Sequence, residues 1–177
     1  MTDINFASFP VLTTERLTLR QPTTDDQRDI FALRSDPEVN KYLGRQPSKT
    51  IEDAINFINK INDNFEKNSS IYWVITRTNT KEFVGTICLY DFSKENNSCE
   101  IGYELLPKFQ GQGIMKEATE KIIEYAFQTM QLQKIVAVTH KDNQNSSKLL
   151  EKFDFKKSME PDIENADLNI YTLTNSN

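Results

Sequence analysis

Glu100-Ile-Gly-Tyr-Glu-Leu-Leu-Pro-Lys-Phe-Gln-Gly-Gln-Gly-Ile-Met115 joins three local patterns in one short segment. The apolar run 101–106 reads as a strand. Gln110-Gly111-Gln112-Gly113 reads as a loop. A helical pattern then runs to about Met130, with Ile114, Ala118, Ile122, Ala126 and Met130 on one face. Strand, glycine loop and helix N-terminus together form a place to hold an anion. The glycines let backbone approach a ligand without a Cβ in the way. The first helical amides have no internal partner and sit at the positive end of the macrodipole. A pair of glycines also serves simply to turn a strand into a helix, so the flanking sequence decides between the two readings.

Two common phosphate loops are excluded. The chain has no G-x-x-x-x-G-K-[ST] string. A dinucleotide fingerprint would need a third glycine where Lys116 stands, and lysine there obstructs close helix–sheet packing. The segment instead resembles the acetyl-CoA-binding segment of the GNAT N-acetyltransferase superfamily, [Q/R]-x-x-G-x-[G/A], here Gln110-x-x-Gly113-x-Met115. Met115 departs from the general pattern and is similar to the Rim-type branch, which acetylates N-termini of ribosomal proteins. Glu15-Arg-Leu-Thr-Leu-Arg20 resembles that branch's first strand. Asp142-Asn143-Gln-Asn-Ser146 and Leu149-Leu-Glu-Lys-Phe-Asp-Phe155 resemble its N-x-x-S and L-E-K-x-G-F element, with Asp154 in the glycine position.

The resemblance implies acetyl-CoA as cosubstrate and no metal. It implies that Gln110, Gly111, Gln112, Gly113, Ile114 and Met115 cradle the pyrophosphate. Pantetheine would lie against the backbone near Tyr103 and Leu105, with Asn143 and Ser146 on its other side. Asn143 also reads as a helix N-cap, with Ser146 in the first turn, and the two roles are compatible. Glu100-Ile-Gly-Tyr resembles the strand that carries the general base in the superfamily's histone acetyltransferases. Strand alternation sets Glu100, Gly102 and Glu104 on one face, which makes Glu104 the second candidate. The alternative for Glu100 is a solvated strand face or a basic partner. The tyrosine that many relatives place after the fourth helix, as acid toward the leaving thiolate, has no counterpart between Lys156 and Asn169. Tyr171 reads as part of a core strand.

The proton to be lost sets the demand on a base. A lysine-like amine of pKa ~10.4 costs about 4.6 kcal/mol to neutralise at pH 7, and an α-amine of pKa ~7.7–8 only about 1–1.4 kcal/mol. The expected reaction is direct attack of a primary amine on the acetyl-CoA thioester, with a protein N-terminal α-amine as acceptor. The alternatives are a small amine, such as a polyamine or amino sugar, and a non-catalytic acyl-CoA-binding module.

Bulk properties fit that class. One N-acetyltransferase domain is expected over 177 residues, with a core from about 12 to 174. Net charge is −5, which argues against a nucleic-acid partner. Cys88 and Cys99 form no metal spacing and suit a reducing, cytoplasmic setting as apolar filler. His140, the only histidine, reads as structural. Met1–Pro10 does not resemble a signal peptide, and no apolar run is long enough to span a membrane. A monomer or homodimer is expected.

The remaining chain reads as a strand over Leu12–Gln21, a helix capped by Thr24 with Gln27 and ending near Arg34, and a loop over Val39–Lys49. A second helix follows, capped by Thr50 with Asp53. Strands are expected at Ile71–Arg77, Glu82–Tyr90 and Ser98–Leu106. Ile135–Val138 reads as a strand buried on both faces, Asn143–Phe153 as a helix, and Phe155–Ser158 and Leu168–Leu173 as closing strands. Trp73 and Tyr72 read as core. Tyr42, Arg45 and the Glu160–Asp167 turn are placed toward substrate. The fold class is α+β. The resemblance implies a GNAT-like, mostly antiparallel sheet of six to seven strands with one splayed parallel pair and about four helices.

Overall fold

Leu17 and Leu19 repeat with the period of a pleated strand, and both are fully buried. They belong to a hairpin, β1 (Leu12–Thr13) and β2 (Leu17–Arg20), where the sequence suggested one continuous strand. The Thr14 hydroxyl accepts the Leu17 N–H at 3.0 Å, and the Thr14 N–H donates to the Leu17 carbonyl at 2.9 Å. A local side-chain bond of this kind competes with extended structure and turns the chain. The computed structural model describes residues 4–176. Residues 1–3 and 177, and with them the outermost parts of the N-terminal and domain assignments, lie outside the described residues.

The other strands are β3 (Ile71–Arg77), β4 (Phe83–Ser93), β5 (Ser98–Leu105), β6 (Lys134–His140), β7 (Lys156–Lys157) and β8 (Leu168–Thr174). They form one eight-stranded sheet in the order β1-β2-β3-β4-β5-β6-β8-β7. β5 and β6 run parallel, and the other neighbours are antiparallel. The α+β architecture is the expected one. The strand count rises to eight because the first strand is split.

The helices are α1 (Gln27–Ser35), α2 (Pro37–Asn40), α3 (Ile51–Glu66), α4 (Ile114–Glu124) and α5 (Gln144–Lys152). The first cap differs from the expected Thr24 and Gln27. Thr23 is the cap, and its N–H donates to the Asp26 carboxylate at 2.8 Å. Asp26 is buried and held by both terminal nitrogens of Arg20, at 2.9 and 2.7 Å, which fixes the helix start one residue early. Thr50 and Asp53 cap α3 reciprocally, as the spacing implied.

Apolar side chains on the two faces of the sheet bind different helices. Trp73, Ile75, Ile87, Leu89 and Ile101 pack with Ile114, Met115, Ala118 and Ile122 of α4 and Leu150 of α5. On the other face Val74 and Phe83 pack with Ile30 and Leu33 of α1 and Ala54 and Ile58 of α3. β6 is not buried on both faces. Ile135, Ala137 and Thr139 are buried and their neighbours are only partly so. Its continuous apolar run, Ile135–Val138, conceals that one face looks onto an opening described below.

Gly85 lies where β3 and β4 shift register, and a Cβ there would run into the Glu104 carbonyl oxygen across the β4–β5 ladder. Gly85→Ala should therefore lower unfolding free energy by about 1–3 kcal/mol. Urea melts of parent and variant measure it.

Candidate active site

The parallel ladder between β5 and β6 is short. It joins Ser98 to Lys134, Cys99 to Ile135 and Glu100 to Val136. Beyond that point β5 continues to Leu105 paired with β4 alone, while β6 continues to His140 paired with β8 alone. The strands part after Glu100, and a cleft of about 600 Å³ opens between them. Its wall includes residues from both sides of the sheet. Glu100, Gly102 and Glu104 lie on the α1/α3 side, opposite Tyr90, Cys88 and Thr86 of β4. Tyr103 lies on the α5 side, where its hydroxyl is 2.6 Å from the Ser146 hydroxyl. A reactant from each face can therefore meet in the gap.

Glu100 stands at the parting point and is half-buried. Burial pushes its carboxyl above the ordinary glutamate value. The nearby charges of Asp91 and Asp162 act in the same direction, and a hydrogen bond with Tyr90 opposes them. A carboxylate raised in this way and facing a cleft is a candidate proton acceptor.

Glu104, the second candidate, has a different environment. Its carboxylate is ion-paired with Arg45, and the Arg45 Nε–H donates to the Asn40 side-chain oxygen at 2.8 Å. The Glu104 carboxylate is thus already engaged by a guanidinium, and this geometry separates the two glutamates. Arg34 approaches the same corner with its guanidinium 3.6 Å above the Phe57 ring. Tyr42 lines the cleft stacked on His140, with ring centroids 5.3 Å apart.

Tyr72 is not simply core. Its hydroxyl donates to Thr86 at 2.9 Å and its ring lines the cleft, whereas Trp73, one residue on, is fully buried. Cys88 lines the cleft as well. Burial raises its thiol to about 12, and that of Cys99 likewise, which leaves neither as a thiolate near neutral pH.

The glycine loop lies at the α4 end. A short 3₁₀ turn, Pro107–Phe109, precedes it, and Gln110 is exposed at the end of that turn. Gly111 and Gly113 take φ of +76° and +73°, left-handed values that glycine tolerates and other residues resist. Gly113 is the N-cap of α4, and no side chain caps it. The amides of the first turn, from Ile114 and Met115 onward, are thus left for an anion. Ile114 and Met115 bury their side chains in the core and so anchor the turn.

Arg16 and Arg77, which sequence reasoning missed, brace this loop. Arg16 donates to the Gln112 carbonyl at 3.0 Å, and Arg77 donates to the Gln112 side chain at 2.7 Å. Nothing local in the sequence marks that role, since Arg16 arrives from the turn before β2 and Arg77 from the end of β3. Arg16 is in turn held by Glu117 in the first turn of α4, at 2.8 Å from Nε and 3.1 Å from its backbone N–H, and Thr14 donates to the same carboxylate.

Burial alone would raise the Glu117 carboxyl, but the bonds from Thr14 and Arg16 outweigh it and hold the group below its ordinary value. Its folded pKa is the lower one. The stabilisation is therefore present above the unfolded value of about 4.3 and lost as pH falls through the folded value. Glu117→Gln should cost about 1–3 kcal/mol at pH 7. The difference from the parent should close as pH drops below about 4. Denaturant melts at neutral and acid pH check both statements.

Asn143 is the N-cap of α5, its side-chain oxygen accepting the Ser146 N–H at 3.3 Å. It also lines the cleft, so one residue both caps α5 and faces the opening. Asp154 takes φ +65°, and the Phe155 N–H reaches the Leu150 carbonyl at 3.1 Å. The turn expected of glycine is formed with aspartate in place. Leu105 closes β5 opposite Gly85. Asp162, from the Glu160–Asp167 turn, lines the cleft beside Glu100. Among the described residues, no cluster of three or more His, Cys, Asp or Glu is placed to hold a metal, and no helix is long and apolar enough to cross a membrane.

Comparison with known proteins agrees with this geometry. A family model described as an acetyltransferase (GNAT) domain matches residues 16–156. The uncharacterized N-acetyltransferase YoaA of Bacillus subtilis is 38% identical over 149 residues, 84% of each chain. The ribosomal protein uS5-alanine N-acetyltransferase of Escherichia coli is 26% identical over 155 residues, covering 82% of this chain and 78% of that one. Among solved structures, the microcin C7 self-immunity acetyltransferase MccE, in complex with acetyl-CoA and AMP, superposes with a TM-score of 0.79. The match is at 22% identity and covers 92% of this chain and 94% of that one, a likeness of fold.

Proposed function

Because the chain belongs to the GNAT acetyltransferase family, we propose that it moves an acetyl group from acetyl-CoA to the α-amine of a protein N-terminus by direct attack. The observation that carries this reading is the parting of β5 from β6 at Glu100. It opens the sheet at a half-buried carboxylate and leaves the far half of β5 without a strand partner on that side.

The donor fits the α4 side. Its pyrophosphate would rest on the first amides of α4 at Gly111–Met115, in a loop kept open by Arg16 and Arg77. Its pantetheine amides would pair with β5 backbone near Tyr103 and Leu105, as an added strand. Asn143 and the Tyr103–Ser146 pair would stand on the other side of that arm. The acceptor would enter from the α1/α3 side, past Tyr42 and Tyr72.

The amine nitrogen attacks the thioester carbonyl carbon, and its extra proton passes to Glu100, directly or through water. The tetrahedral centre collapses with cleavage of the carbon–sulfur bond. The electron pair leaves on sulfur, and water protonates the thiolate. Backbone N–H groups on the edge of β5 that faces away from β4, beyond its pairing with β6, would polarise the carbonyl oxygen.

An α-amine asks less of this base than a lysine does, about 1–1.4 against 4.6 kcal/mol at pH 7. The likeness to the E. coli relative, a ribosomal protein uS5-alanine N-acetyltransferase, supports the same choice. Two unpaired cysteines suit a cytoplasmic setting. Incubation with acetyl-CoA and a peptide bearing both a free N-terminus and an internal lysine tests the reading, with mass spectrometric mapping of the product. Acetylation of the α-nitrogen is expected. Acetylation confined to the lysine overturns the acceptor.

A further inference from the structure

The cleft carries its charge in two halves. At the parting point stand Glu100 and Asp162, both acidic. At the other end of the same β5 face stand Arg34 and Arg45 around Glu104, two guanidiniums against one carboxylate. Three side-chain atoms in this corner are buried without a hydrogen-bond partner: Arg34 Nε, Arg45 Nη2 and Glu104 Oε2. Buried donors on charged groups are costly to leave unmade.

The corner is nonetheless held in shape. Arg34 lies on the Phe57 ring, and Arg45 is anchored by Asn40 and Glu104. Burial and the neighbouring charge of Arg45 both weaken the hold of Arg34 on its proton, against smaller opposing contributions from Tyr72 and Glu104. An unbalanced, preorganised cation pair with open donors is suited to a planar anion gripped by forked N–H groups.

We propose that the acceptor carries a carboxylate two or three residues from its reactive amine, and that Arg34 and Arg45 seat it while the amine faces Glu100. This rests on the acetyl-transfer reading above and narrows its substrate. The spacing follows from the strand. Glu100 and Glu104 are four residues apart on β5, about 13 Å at 3.2–3.4 Å per residue. A free amino acid is too short to bridge that distance. An extended peptide covers it within three residues at up to 3.3–3.6 Å each, the last part being the reach of an acidic side chain. The carboxylate can belong to an aspartate or glutamate at the second or third position, or to the C-terminus of a tetrapeptide, which spans about 13–14 Å when extended.

Steady-state kinetics at saturating acetyl-CoA decide the matter. One arm compares N-terminal peptides that differ only by Glu or Gln at position two or three. A second arm compares a neutral tetrapeptide as free acid and as C-terminal amide, which separates the two sources. KM should be at least tenfold lower for the carboxylate-bearing member of one or both arms. Arg34→Gln should raise that KM toward the neutral peptide's value, and Arg34→Lys should restore it in part. The two-peptide comparison on the parent protein stands even where an Arg34 variant folds poorly. Equal KM values in both arms overturn this inference and leave the acetyl-transfer reading intact. Absence of thiol release with every peptide overturns the reading beneath it.

Discussion

Glu100→Gln should lower the acetyl-transfer rate by roughly 10²–10⁴, the range expected when a positioned general base is removed. The substitution keeps the volume and most hydrogen-bonding capacity of the side chain, so β5 should fold as before. Glu100 occupies the position at which β5 leaves β6, and burial has raised its carboxyl above the ordinary value. A base works only when ionised, so in the parent protein kcat/KM should fall with acid along a limb set by that raised value. The variant should lose this limb and keep the one that belongs to the amine. Acetyl-CoA affinity should change little, because the donor's pyrophosphate would rest on the glycine loop, which Glu100 does not touch. Stopped-time thiol assays across a pH series separate these quantities. An unaltered profile in the variant would remove Glu100 from the mechanism.

Gly113→Glu should abolish useful acetyl-CoA binding, through two separable effects. Gly113 sits at φ +73°, where a residue with a Cβ costs about 1–2 kcal/mol, and this part is felt in stability. The introduced carboxylate would stand beside the pyrophosphate. At about 5 Å and an effective dielectric near 20, two unit charges repel by about 3 kcal/mol, on the order of 10² in Kd. A Cβ at this position comes within 3.5 Å of Arg16 Nη2. The new carboxylate can therefore also draw Arg16 off the Gln112 carbonyl and loosen the loop. Gly113→Ala shares the strain without the charge and should bind far better than Gly113→Glu. Titration calorimetry with acetyl-CoA on both variants distinguishes the terms. Equal affinities for the two would mean that the donor's phosphates lie elsewhere.

Local sequence carried the elements whose signals are short-range. β3 begins and ends where its apolar run does, at Ile71 and Arg77, and α3 starts at the Thr50–Asp53 cap. Alternation along β5 correctly set Glu100, Gly102 and Glu104 on one face. The features that escaped depend on distant partners. The cap at Thr23 is decided by Arg20 gripping Asp26, and the hairpin at Thr14 by a single hydroxyl. Tyr72 reads as core until α1 and α3 are seen to cover only part of its sheet face. Arg77 and Arg34 carry no motif and Arg16 belongs to one that marks only a strand, so each acquires its role only where the fold brings it beside the glycine loop or the cleft. Arg45 and Tyr42, placed toward substrate on loop position alone, do line the cleft. The ion pair that sets Glu104 apart from Glu100 was not visible, because the loop and the strand that form it are far apart in sequence.

The most direct test of the account is release of free thiol from acetyl-CoA across a panel of N-terminal peptides, polyamines and amino sugars, with the acetylated nitrogen located by mass spectrometry. Thiol release matched by acetylation at the α-nitrogen of peptides is expected. Binding of acetyl-CoA without thiol release for any amine, or turnover confined to polyamines or amino sugars, would contradict it.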